Sequence, residues 1–144
     1  MNPYVLDMYR QLFASLRRGN IKGAYSNPIF LISIIDYIVQ LESPNHFVWG
    51  DKAFENVYFS NFKKYDHSVP TSLWKPFYYM SSEPFYSLIW QQPPDEKYIR
   101  RPSGKMLKDY LSFAKLDDEL WELLKVPENR EYLLNYIIKQ YLSY

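Results

Sequence analysis

The chain of 144 residues contains no cysteine. That excludes a disulfide framework, thiolate zinc sites and a cysteine nucleophile together, and it fits a reducing, cytoplasmic setting. Histidine is nearly absent as well, with only His46 and His67. Neither belongs to a recognisable nucleophile–base–acid arrangement, and no pair has metal-ligand spacing, so both read as surface residues. The four glycines are scattered, and neither a phosphate-cradling loop nor a dinucleotide fingerprint can be drawn through them. No long apolar run exists: Ile29 to Leu41 is interrupted by Ser33, Asp36 and Gln40, and at about 13 residues it falls short of the roughly 20 needed to cross a bilayer. The opening MNPYVLDMYR has no basic stretch followed by an apolar segment and cleavage site, so it does not read as a signal peptide. A net charge of +1 gives the molecule no global attraction to polyanions.

Aromatic residues are plentiful. At 19% of the chain, with 15 Tyr and 9 Phe, they exceed what a core alone requires, because the Tyr hydroxyl seeks water or a partner. With 47% hydrophobic residues, a single domain over 1–144 can bury a core without metals, cofactors or disulfides.

Helical signals dominate. Asn2 and Pro3 open a first helix to about Arg18, with Val5, Met8, Tyr9, Leu12, Phe13 and Leu16 on one face. Asn27-Pro28 opens a second that is apolar nearly all round and reads as buried. Asp51 opens a third, with Phe54, Val57, Tyr58, Phe62 and Tyr65 at helical spacing. Near the other end, Ser103 caps a helix predicted to run through Ala114, Asp117 caps a short one to Lys125, and Pro127 begins the last.

Between these groups, Phe77 to Met80 and Phe85 to Trp90 are aromatic, β-prone runs separated by Ser81-Ser82-Glu83-Pro84. They predict an antiparallel hairpin ended by Pro93-Pro94. The predicted class is therefore α+β, predominantly helical with a small antiparallel β-hairpin, an order of elements like that of winged-helix domains. About half of the hairpin's rings must face the core; the others could stack on bases or pack on sugars beside cations.

The charges cluster. Arg10, Arg17, Arg18 and Lys22 face only Asp7, and Lys97, Arg100, Arg101, Lys105 and Lys108 form a stretch without an acid, while acids gather from Asp117 to Glu131. Arg17, Arg18 and Lys22 complement the end of the first helix and need no ligand. Arg100, Arg101 and Lys105 sit where a helix begins and oppose its dipole, which favours an anion there for a reason other than helix stability. Asp95-Glu96-Lys97 is superficially like the acid-x-Lys end of metal-dependent nucleases, but it lies beside Pro93-Pro94 with no strand to position it.

Three marks in order carry a resemblance: Gly23 to Ile32, reading GAYSNPIFLI; Pro76 to Met80, reading PFYYM; and Ser82 to Leu88, reading SEPFYSL. With the acidic short helix around Ala114 to Leu124 and the final helix from Pro127, the chain resembles the N-terminal domain of bacterial HNH restriction endonucleases, related to the DNA sulfur-binding domain of McrA-type enzymes. The resemblance implies a non-catalytic module that docks on double-stranded DNA. In sulfur-binding members it recognises a phosphorothioate backbone through a small apolar pocket of Pro and ring atoms beside basic groups. Catalysis would belong to a separate HNH nuclease domain or partner chain, of which nothing is recognisable here. Ser26-Asn27-Pro28 stands where the family has His-Lys-Pro, Tyr86 where it has Trp, and Lys75 precedes Pro76 where a Tyr is usual.

The sequence reading is thus a cytoplasmic DNA-recognition module of a restriction or defence system. Arg100, Arg101 and Lys105 contact phosphates, Arg17, Arg18, Lys22 and Asn27 are further candidates, and Trp74, Lys75, Pro76 and Tyr79 form the discriminating contact. The alternative is a protein-interaction module that uses the surplus aromatic residues as its interface.

Overall fold

A computed structural model describes residues 3–16, 26–40, 45–65 and 72–142. The centre is helix α2, Ser26–Ile38, in which Pro28 to Ile35, Tyr37 and Ile38 are all buried. Its near-uniform apolar surface is what allows it to be covered on every side. Around it pack α3 (Lys52–Tyr65), α4 (Trp74–Tyr79) and α8 (Pro127–Ile137). Helix α1, Pro3–Ala14, inserts Tyr9 and Phe13 and leans on α8. On α3, Phe54, Tyr58 and Phe62 point inward at intervals of four, as the sequence pattern requires.

The hub of the core is Phe30. Its ring meets the edges or faces of Phe54, Tyr86 and Phe77 at centroid distances of 5.6, 5.7 and 5.9 Å, so one side chain joins α2, α3, α4 and the sheet. Buried polar groups are satisfied locally. Ser33 donates to the Ile29 carbonyl, and the Asn61 amide donates to both Ser33 and Asp36, pinning α3 to α2. The Tyr141 hydroxyl, on the wide helical turn Ile138–Leu142 that extends α8, donates to the Phe13 carbonyl at 2.5 Å and accepts from the Leu16 N–H at 3.0 Å. Two groups left over at the end of α1 are thereby paired.

The class is α+β and mostly helical with a two-stranded antiparallel sheet, as expected, but the strands are not the predicted pair. Phe77 to Met80 is not a strand: Trp74 to Tyr79 forms α4 and Met80–Ser82 a 3-10 turn. Pro76 stands in the first helical turn, where its missing N–H is no loss. Phe77 is drawn into the ring cluster, and the Tyr86 hydroxyl donates to its carbonyl at 2.6 Å. Burial of one ring per turn outweighs the β propensity of the others.

Strand β1, Tyr86–Trp90, forms close to where it was predicted, and its partner is β2, Leu111–Leu116, with Tyr86 opposite Leu116 and a bulge at Ile89/Trp90. The helix capped by Ser103 therefore ends early: α6 is Gly104–Tyr110 and the chain turns extended at Leu111. Leu107, Leu111 and Ala114 satisfy helical spacing, but two open edges compete for that segment. On one side lies β1; on the other Phe47 and Ala114 exchange backbone bonds of 2.8 Å. Asn45 extends the second edge with its side chain, donating to the Leu116 carbonyl at 2.6 Å and accepting from its N–H at 3.0 Å. Asn45→Ala orphans both backbone groups and is expected to cost about 2–4 kcal/mol, read as a lowered midpoint in urea unfolding.

One further helix was not anticipated. Glu96 and Lys97, read as loop, open α5, Glu96–Arg100. Helix α7, Asp118–Leu124, and α8 begin where expected, although the Asp117 carboxylate accepts the Tyr9 hydroxyl at 3.0 Å instead of capping α7.

Candidate nucleic-acid interface

On α4, Pro76 and Phe77 turn into the protein and Lys75 and Tyr79, one helical turn apart, turn out. Trp74 is half-buried, with its ring 6.3 Å from that of Tyr79. Tyr79 is 49% exposed and meets Tyr78 edge-on at 5.0 Å. Burial raises the Tyr78 hydroxyl above its ordinary pKa, with the neighbouring Tyr79 adding to the effect, so this phenol stays protonated at neutral pH. It is a ring-lined ridge with one cation, Lys75.

The start of α6 rests against this ridge. A side chain at Gly104 would place its Cβ 3.2 Å from Trp49 Cζ2 and 3.8 Å from Trp74 Cβ. The missing side chain thus eases the close approach to Trp49, while Trp74 lies at ordinary contact distance, and Trp49 in turn lies edge-on to Phe77 at 5.3 Å. Lys105 follows immediately, exposed, with its ammonium 3.6 Å from Asp109. Ser103 caps this turn itself, its hydroxyl accepting the Met106 N–H at 3.2 Å.

Between β1 and α6 the chain makes the excursion that carries α5. Arg100 pairs with Glu96 at 2.7 Å, both well exposed. Arg101 is exposed and forms no ion pair among the described residues, and the same holds for Lys75. Lys97 lies over the Tyr98 ring at 5.0 Å, and Tyr98 packs on Tyr110 at 5.5 Å. Desolvation, then the Asp95 carboxylate, holds the Tyr110 hydroxyl up and therefore protonated.

Trp74, Lys75, Pro76 and Tyr79 are thus brought beside Lys105, with Arg100 and Arg101 on the adjoining segment. Over residues 74–79 and 95–110 the chain carries six cations, Lys75, Lys97, Arg100, Arg101, Lys105 and Lys108, against three acids, Asp95, Glu96 and Asp109. The acids of α7 follow the Leu116 end of β2, where the Asp117 N–H donates to the Phe85 carbonyl at 2.9 Å, and Asp118 is held by Lys115 at 3.0 Å.

Asn27 is half-buried in the first turn of α2. Arg17, Arg18 and Lys22 lie outside the described residues, as does His67. His46 is exposed and stacks on Phe113 at 3.6 Å. An open polar groove of about 490 Å³ between α2 and α3 is lined by Asp36, Gln40, Asn56 and Asn61, and none of the candidate cations lines it. Among the described residues, no group of three or more His, Asp or Glu side chains is placed to hold a metal ion. No helix among them is long and apolar enough to cross a membrane. Sequence reasoning missed Trp49 and Gly104; a lone glycine directly after a helix-capping serine was the available signal for the second.

The architecture is similar to that of a DNA sulfur-binding domain. The sulfur-binding domain of ScoMcrA, solved in complex with phosphorothioated DNA, matches with a TM-score of 0.71 at 17% identity, over 92% of this chain and 86% of that one. The structure of the type IV phosphorothioation-dependent restriction endonuclease ScoMcrA matches equally, with a TM-score of 0.71 at 18% identity over 92% of this chain. The match takes in 29% of the enzyme's chain. At these identities the likeness is one of fold. Sequence comparison finds no family and no curated relative that matches.

Proposed function

We propose that the chain is a non-catalytic module that docks on double-stranded DNA and serves the recognition step of a cytoplasmic restriction or defence system, with cutting left to a nuclease domain or partner chain. The observation that carries this reading is the seating of the α6 start, with Lys105, on Trp74 beside Lys75. It brings the helix start that carries Lys105 up to the half-buried Trp74, next in the chain to the exposed Lys75. Cations meet phosphates and position the protein, whereas Trp74 and Tyr79 supply apolar contact. A phosphorothioate, whose sulfur is more polarisable and less strongly hydrated than oxygen, suits a ring-lined ridge with a single cation, and we take a backbone so modified as the target. The known fold partner of ScoMcrA's domain supports the same choice.

The test is fluorescence anisotropy on matched duplexes with and without a single phosphorothioate, titrated between 50 and 200 mM salt. Affinity is expected to fall steeply with salt and to be several-fold higher for the sulfur duplex. Equal affinities would remove the modified target and leave DNA docking; no binding to either duplex at 50 mM would end the DNA reading.

A second reading rests on a different surface. Tyr4, Met8 and Tyr132 on α1 and α8 are 82%, 44% and 47% exposed, and Arg10 lies over the nearby Tyr136 ring at 5.4 Å. Exposed aromatic residues beside an arginine are typical of protein interfaces. Association through this face would be nearly insensitive to salt, which separates the two readings.

A further inference from the structure

Helix α5 is unlike every other helix described here in one respect: it buries none of its residues. A five-residue helix that sets only one ring, Tyr98, against the core is little explained by folding. Its tether is the half-buried Tyr98, packed on Tyr110, together with the bond from the Gln91 N–H to the Tyr110 carbonyl at 2.8 Å. The excursion around it contains Pro93, Pro94 and Pro102, which restrict the backbone and keep the arm from collapsing.

At the exposed side of this arm stands Ile99, 54% exposed. Lys97, Arg100 and Arg101 surround it in sequence, and Glu96, one helical turn before it, is taken up by Arg100 at 2.7 Å. A branched apolar side chain held in water among cations gains nothing in the isolated protein. It gains where phosphates are neutralised on both sides and an apolar surface, the face of a base pair, is opened to receive it.

We propose that α5 is a wedge: Ile99 enters a groove of duplex DNA and slips between two base steps, Lys97, Arg100 and Arg101 hold the flanking phosphates, and binding bends the duplex. This rests on the DNA-docking reading above and adds to it a distortion that phosphate contacts alone would not produce. Unstacking is cheapest at pyrimidine–purine steps, so those steps are favoured at the bend.

The experiment is energy transfer between dyes at the two ends of a short duplex, recorded with the full chain at 50 mM salt alongside anisotropy. Wild-type protein is expected to shorten the end-to-end distance by an amount corresponding to a kink of roughly 20° or more. Ile99→Ala and Ile99→Ser should leave the duplex near its free length, lower affinity no more than about tenfold, and keep the salt slope because every cation remains. Ile99→Leu should still bend it. Because Ile99 is outside the core, circular dichroism of these variants should match wild type. Wild-type protein that binds a straight duplex, or Ile99→Ala that bends as much as wild type, overturns the wedge and leaves DNA docking in place. Absence of any binding at 50 mM overturns both.

Discussion

Replacing Lys75, Arg101 and Lys105 together by alanine is expected to lower affinity for duplex DNA several-hundredfold at 0.1 M salt and to flatten the salt dependence. Each phosphate contact releases counterions and contributes about 0.9 to the slope of log affinity against log salt, so three lost contacts remove about 2.7 from the slope and a factor of about eight each at 0.1 M. These three are chosen because, among the candidate contacts, their charges are unpaired or only loosely paired. Lys75 and Arg101 form no ion pair among the described residues, and Lys105 is only loosely held by Asp109 at 3.6 Å. Arg100 serves as the contrast. Its 2.7 Å pair with Glu96 must be surrendered or shared when a phosphate arrives, so Arg100→Ala alone should cost less than Arg101→Ala alone. The measurement is anisotropy at four salt concentrations. An unchanged slope in the triple variant would place the DNA contact on some other surface.

The largest effect on stability is expected at Phe30. It is fully buried and joins rings from α3, α4 and β1. Truncation to alanine leaves a hole that three surrounding elements cannot close at once, and such Phe→Ala changes cost about 3–5 kcal/mol. Against a total stability of about 5–15 kcal/mol, that is enough to leave a substantial fraction unfolded at 37 °C. Chemical denaturation should show the midpoint falling sharply with little change in slope. Functional damage should accompany it, because Phe77, one residue after Pro76, loses one of its ring partners and α4 part of its anchor. A variant that unfolds at the wild-type midpoint would mean that the ring cluster is not what holds α4 in place. Ile99→Ala, by contrast, should leave the midpoint untouched, and the pair of variants therefore separates core from contact.

Much of the helical frame could be read from local chemistry. Pro28 after Asn27, Pro127, and the four-residue spacing of Phe54, Tyr58 and Phe62 each act within a turn or two, and α2, α3 and α8 lie close to where those marks put them. The same locality explains the errors. Phe77-Tyr78-Tyr79 is β-prone by composition, yet its state depends on Phe30 and Tyr86, residues distant in the chain. Leu111 to Leu116 carries a spacing that suits either helix or strand. Its choice depends on edges offered by Tyr86–Trp90 and by Asn45 to Phe47, which no window around Leu111 contains.

The candidate site divides the same way. By itself the sequence determined which residues could meet an anion or a base: cations clustered from Lys97 to Lys108, and an aromatic run beginning at Trp74. Only the tertiary structure decided that Gly104 lies against Trp49 and Trp74, that Pro76 faces inward while Tyr79 faces out, and that Ile99 stands exposed. The reason is physical. Charge and ring content belong to single residues and survive in the unfolded chain, whereas exposure and juxtaposition arise from which surfaces the core takes first, and that competition is settled among segments far apart in the sequence.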